Sequence, residues 1–96
     1  MIECGAGSVR ITAPMVIANA RGLLAAGDKN FATVAPGTVH LDLAAVTDVD
    51  SSALGVVFAW MRGGAARGLA FRLVNPPASL ISLAKLYGVS ELLPLA

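Results

Sequence analysis

A change of apolar period across one loop constrains this chain more than any other feature. Val39-His40-Leu41-Asp42-Leu43 alternates apolar and polar residues with the period of a strand. Beyond a loop from Ala44 to Val49, Leu54, Val57, Phe58, Met61 and Ala65 recur at i, i+3, i+4, i+7 and i+11, the spacing of a helix face. The handover falls on Asp50-Ser51-Ser52-Ala53-Leu54-Gly55. A helix starting near Ser51 leaves its first N–H groups unpaired and carries a partial positive charge there. Asp50 or Ser51 can therefore cap it, and a phosphate on Ser51 can be held there too.

The remaining segments extend this alternation of strand and helix. Ser8 to Thr12 reads as a short strand, paired with a shorter one near Ile2 to Cys4 across Gly5-Ala6-Gly7. From Pro14 onward Val16, Ile17, Ala20, Leu23 and Leu24 repeat at helical spacing, with Pro14 in the first turn and Gly27 just past the last. Asp28 to Thr38 reads as a loop. The second helix runs to Arg67-Gly68, weakened by Gly63 and Gly64, each costing about 1 kcal/mol relative to alanine. Leu69 to Val74 is a strand, stopped by Asn75-Pro76-Pro77. A third helix follows with Leu80, Leu83, Ala84 and Tyr87 on one face and Gly88 as a left-handed cap, then a short turn from Val89 to Leu93. This order predicts an α/β fold: a mixed sheet of four to five strands with parallel members, packed against about three to four helices in one domain spanning residues 1–96.

Composition narrows the function. With 56% hydrophobic and 14% charged residues in 96, some apolar surface is expected to meet a partner. The second helix points the same way, because opposite its core stripe it carries Val56, Ala59, Trp60 and Gly63. Trp60, off the stripe, is a contact candidate as well as a core residue. The longest apolar run, Ala53 to Met61, is about half of what a membrane span needs. A net charge of +1, with Arg10, Arg21, Arg62, Arg67 and Arg72 dispersed, gives no nucleic-acid patch. The start Met1-Ile2-Glu3-Cys4 shows no secretory pattern and a single cysteine allows no internal disulfide, both pointing to the cytoplasm. No nucleophile elbow, Walker A loop or metal-ligand cluster is present, and Ser51 and Ser52 lack an evident base, so a catalytic or metal role is not expected. His40 and Cys4 stand alone, and Asp42 reads as a strand-end carboxylate that bonds the N–H groups of the following loop.

The Asp-Ser-Ser-x-Leu-Gly motif, set between an Asp-ended strand and an amphipathic helix in this element order, resembles the STAS domain over nearly the whole chain. That family includes bacterial anti-sigma factor antagonists, tails of sulfate transporters, and a small subunit of the Mla-type phospholipid-transport ABC system. Leu83-Ala84-Lys85-Leu86-Tyr87-Gly88, followed by a terminal Leu93-Pro94, is similar to the end of the Mla-type subunit. The resemblance implies a non-enzymatic accessory subunit that binds the cytoplasmic ATPase of such a complex and reaches the inner membrane only through it. The implied docking surface is Asp48, Asp50, Ser51, Ser52, Ala53, Leu54, Val56 and Trp60. No cofactor is expected, although a nucleotide at Asp50 to Ala53 is a third class to test. The alternative is an anti-sigma factor antagonist whose partner is a serine kinase. Ser51 matches the position phosphorylated in antagonists, where about −1.5 to −2 charges would appear beside Asp48 and Asp50. Two departures stand out: Ala53 replaces the usual motif glycine, and Ile11-Thr12-Ala13-Pro14-Met15 replaces a Gly-x-Leu/Ile-Asp turn.

Overall fold

Alternating burial along the strands decides the layering. Val9 and Ile11, Val39 and Leu41, and Leu69, Phe71 and Leu73 are buried, whereas Arg10, Thr38, His40, Ala70 and Arg72 between them are exposed. A sheet with one apolar face packs its helices on that face alone. The computed structural model describes residues 1–5 and 7–96. Its elements run β1 (Ile2–Gly5), β2 (Ser8–Ile11), α1 (Ile17–Phe31), β3 (Gly37–Asp42), α2 (Ser52–Ala65), β4 (Leu69–Val74) and α3 (Ala78–Leu86), then a 3₁₀ turn at Ser90–Leu92. The sheet order is β1-β2-β3-β4, with β1 antiparallel to β2 and the other pairs parallel. This is the mixed sheet and helical layer expected. The predicted Gly5-Ala6-Gly7 turn includes Ala6, which lies outside the described residues.

Two expectations are corrected. The first helix starts at Ile17 and continues through Gly27 to Phe31, so four residues assigned to a loop are helical. Gly27 is not a cap: a Cβ there would overlap the indole of Trp60, and the glycine lets α1 and α2 approach closely. The second correction concerns the phase of α2. Its core face is Ala53, Leu54, Val56, Val57, Trp60 and Gly64, while Phe58 and Met61 of the predicted core stripe are half-buried and Ala65 is exposed. A helix apolar nearly all round has no unique phase in sequence, and the largest side chain took the deepest position. Trp60 is 0% exposed, with its ring edge-on to Phe31 at 5.6 Å. Its indole N–H finds no acceptor among the described residues, so burial of the ring outweighs one unmade hydrogen bond.

The third helix closes as predicted. Gly88 has φ +69°, and the Val89 N–H donates to the Ala84 carbonyl at 2.8 Å, a Schellman closure that turns the chain back toward the sheet. Leu73 then pairs with the tail, its N–H donating to the Pro94 carbonyl at 2.7 Å and its carbonyl accepting the Ala96 N–H at 3.0 Å. No helix among the described residues is long and apolar enough to cross a membrane.

Candidate functional site

The loop between β3 and α2 is tied to the segment before α1. The Met15 N–H donates to the Asp48 carbonyl at 2.9 Å and the Asp50 N–H to the Met15 carbonyl at 3.2 Å, so Met15 and Val49 form an isolated parallel bridge. That bridge brings the starts of α1 and α2 to one carboxylate. Asp50 Oδ2 accepts the Ile17 N–H at 2.9 Å, and Asp50 Oδ1 accepts the Ser52 N–H at 2.9 Å together with the Ser52 hydroxyl. One side chain therefore caps both helices. The Ser52 hydroxyl, then the Ile17 and Ser52 backbone N–H groups, hold the Asp50 pKa below its ordinary value, because all three donate to the ionised form.

Ser51 occupies the N-cap position of α2 but makes no capping bond through its side chain. It is exposed, with φ −61° and ψ −22°, already in helical conformation. The N–H of Ser52 is taken by Asp50, that of Ala53 donates to the Asp50 carbonyl at 3.0 Å, and that of Leu54 donates to the Ser51 carbonyl at 3.2 Å. A phosphate on Ser51 would thus meet three N–H groups of the first turn that already hold bonds within the loop and helix. A phosphoryl group on Ser51 would stand on the surface beside Asp50.

Beside Ser51 lies an open apolar groove of about 280 Å³, lined by Ser51, Leu54, Phe58, Tyr87 and Val89. Leu54 forms its floor at 5% exposure and Tyr87 its rim at 58%. Ile17, 73% exposed, is an apolar residue at the start of α1 joined to the motif through its N–H bond to Asp50. Of the residues expected to dock a partner, Asp48 and Ser51 are exposed and Asp50 and Ser52 half-buried. Ala53, Val56 and Trp60 are core residues and offer no surface, for the reason of helix phase given above. Phe58, Tyr87 and Val89 were not singled out as contacts. Tyr87, expected on the core face of α3 with Leu80 and Ala84, lies just past the last helical residue and is exposed; its place next to Gly88 was the available signal.

The other polar cluster sits at the end of β3. Asp42 accepts the Ala44 N–H at 2.9 Å, Asn75 Nδ2 at 3.3 Å and Arg10 Nη2 at 3.3 Å, and its pKa is lowered, chiefly by the Ala44 N–H and then by Asn75 and Arg10. The predicted bond from strand end to loop is present. His40 is exposed on the open sheet face, flanked in register by Ser8 and Arg72. Among the described residues no group of three His, Cys, Asp or Glu side chains could hold a metal ion, and no polar or charged residue is fully buried. What the motif region offers chemically is an exposed Ser51 hydroxyl, free of any capping bond, beside an apolar groove.

Comparison with known proteins agrees with this architecture. Among curated proteins none matches the chain. Among solved structures, a candidate anti-sigma factor antagonist from Thermotoga maritima superposes with a TM-score of 0.71 at 19% identity, covering 99% of this chain and 83% of that one. At that identity the likeness is one of fold. A family model described as "Mlab, STAS domain" matches residues 4–94. With β1 antiparallel to the parallel strands, the helices on one face and the Asp-Ser-Ser motif capping α2, the chain belongs to the STAS domain family.

Proposed function

We propose that this protein is a non-enzymatic accessory subunit that binds the ATPase of a bacterial phospholipid-transport ABC complex of Mla type. The observation that carries the reading is the family model, whose description names the Mla-type branch and whose match runs over residues 4–94. The surface that fits the role is Ser51 with the groove of Leu54, Phe58, Tyr87 and Val89. A neutral hydroxyl at the centre of an apolar rim suits a protein interface, where charge is depleted at the core. Docking there is expected to support assembly or activity of the ATPase, with the chain reaching the membrane only through that complex. The test is copurification of the ATPase from the native bacterium. Ser51→Asp and Phe58→Glu are each expected to lose it, while Trp60→Phe retains it; capture by both surface variants at the native level defeats the assignment.

A second reading is an anti-sigma factor antagonist with a serine kinase as partner. The observation favouring it is that the Ser51 side chain is exposed and holds no capping bond, which leaves it accessible to a kinase. Intact mass measurement separates the two. A phosphorylated population that disappears in Ser51→Ala favours the antagonist; unmodified protein bound to an ATPase favours the transporter subunit.

A further inference from the structure

We infer that the outer edge of β1, with the groove between it and α1, takes up an extended segment of a partner protein as a fifth strand and selects one with a basic residue between two apolar ones. The inference goes beyond the docking reading and does not depend on it, because the groove beside Ser51 is built by α2 and the turn after α3 and shares no residue with this edge.

The two margins of the sheet are finished differently. At β4 the tail bonds both the N–H and the carbonyl of Leu73, and Arg72 Nη1 turns back to donate to the Phe71 carbonyl at 3.2 Å. An edge blunted in this way resists further pairing. At β1 no such cover is present among the described residues. The Thr12 N–H donates to the Met1 carbonyl at 2.7 Å and the register sets Ile2 against Ile11, so Met1, Glu3 and Gly5 turn their main-chain groups inward to β2. Ile2 and Cys4 turn theirs outward. Each brings an N–H and a carbonyl to the free edge, and an extended backbone is what satisfies such a row.

The side chains decide what the added strand carries. Directly opposed residues share a face, so Ile2 and Cys4 lie on the helix side with Ile11 and Val9, while Glu3 lies on the open side with Arg10. On the helix side an open groove of about 510 Å³ runs between β1 and α1, lined by Met1, Ile2, Ala26, Lys29, Asn30 and Thr33. Asn30 and Thr33 also line a recess of about 90 Å³ beside Cys4 and Val34. Cys4 is exposed and Met1 46% exposed, so α1 leaves this side of β1 uncovered and apolar side chains fit there. On the open side the one ion pair among the described residues joins Arg10 to Asp42, which leaves Glu3 without an ionic partner although Arg10 stands opposite it in register. A lysine or arginine on the added strand supplies that partner. The inner neighbour of β1 already shows the same order in Val9-Arg10-Ile11.

A second copy of the chain is the worse occupant. The antiparallel pairing of β1 with another β1 that uses both Ile2 and Cys4 sets Glu3 against Glu3 at the closer spacing of about 4.5 Å, where like charges repel.

Anisotropy of labelled peptides, read beside the rate of Cys4 alkylation by iodoacetamide, tests this on the full chain. The probes are Thr-Val-Lys-Val-Thr, the same peptide with glutamate for lysine, and the lysine peptide N-methylated at both valines. The lysine peptide should bind saturably and slow the alkylation of Cys4 as it saturates. The glutamate peptide should bind about two- to fivefold more weakly, and the N-methylated one, which lacks the donors for the edge carbonyls, should not bind. Glu3→Lys, with native far-UV circular dichroism, should reverse the order of the two charged peptides. Absence of saturable binding overturns the inference, as does equal binding of the N-methylated peptide or unchanged alkylation of Cys4 at saturation. Protection of Cys4 that grows with protein concentration in the absence of peptide also overturns it, since the occupant is then a second copy. Capture of the ATPase by Glu3→Lys at the native level, alongside any of these failures, leaves the docking reading standing.

Discussion

The substitution Gly27→Ala should destabilise the protein, and Gly55→Ala should stabilise it, although both replace glycine by the best helix former inside a helix. Intrinsic propensity alone favours each change by about 0.5–1 kcal/mol. The surroundings then separate them. At Gly27 the new methyl would overlap Nε1 and Cε2 of Trp60, whose ring is fully buried and held edge-on by Phe31 at 5.6 Å, with Phe31 in turn 4.8 Å from Phe71. The three rings form a continuous layer between the helices and β4, so the indole cannot yield without disturbing its neighbours. Overpacking costs roughly 1–3 kcal/mol, and overlap with three atoms of a buried ring puts this site at about 2–3 kcal/mol, giving a net loss of about 1–2.5 kcal/mol and a fall in Tm of roughly 4–20 °C. At Gly55 nothing lies within 4 Å of the added carbon, so the propensity gain stands alone and Tm should rise by roughly 2–8 °C. Thermal unfolding followed by circular dichroism at low protein concentration measures both. A Gly27→Ala protein as stable as the parent would refute the packing assigned to Trp60, and with it the conclusion that this residue is core.

Trp60 is the sole tryptophan, so its fluorescence reports directly; emission should be blue-shifted and resist quenching by acrylamide until the protein unfolds. Acid stability should depend on two carboxylates. Asp42 and Asp50 titrate below their ordinary 3.8 in the folded protein, so each favours folding above that value and loses its contribution as the pH falls through the folded pKa. Asp42→Asn and Asp50→Asn should therefore flatten the acid limb of urea-unfolding stability below about pH 4, without changing its slope near neutrality. Ser51→Asp should leave the unfolding midpoint within about 0.5 kcal/mol of the parent, because the serine hydroxyl holds no capping bond; a larger loss in urea would show that Ser51 serves the fold.

Local chemistry was legible wherever one residue type settles the backbone. The Asn75-Pro76-Pro77 stop, the Gly88 closure and the bond from Asp42 into its loop all follow from such residues, and β4 has the predicted limits. Gly27 misled for the opposite reason: a glycine near the end of an apolar period signals a cap, and only the position of Trp60 on another helix shows that it serves packing. The phase of α2 was illegible because both of its faces are apolar, which is a property of tertiary placement. The candidate site divides along the same line. Asp50 and Ser51 were found from their position at a helix start, whereas Tyr87 and Val89 reach Ser51 only through the turn after α3.

The double role of Asp50 links these parts. Had Ser51 capped α2, its hydroxyl would face inward, and modification or partner binding would have to break a bond of the fold. Because Asp50 receives the first N–H of both α1 and α2, Ser51 is released to the surface while its backbone stays fixed in the first turn. The same bond to Ile17 ties the start of α1, with its exposed isoleucine, to the motif that borders the Leu54 groove, so the surface around Ser51 is built by two helices pinned at one carboxylate. Such a surface is preorganised, and a partner ordering nothing new on this side keeps more of its contact energy as affinity. A charge added at Ser51 would stand at the surface beside Asp50, where the N–H groups of Ser52, Ala53 and Leu54 are already bonded, so it takes no side-chain bond from the fold.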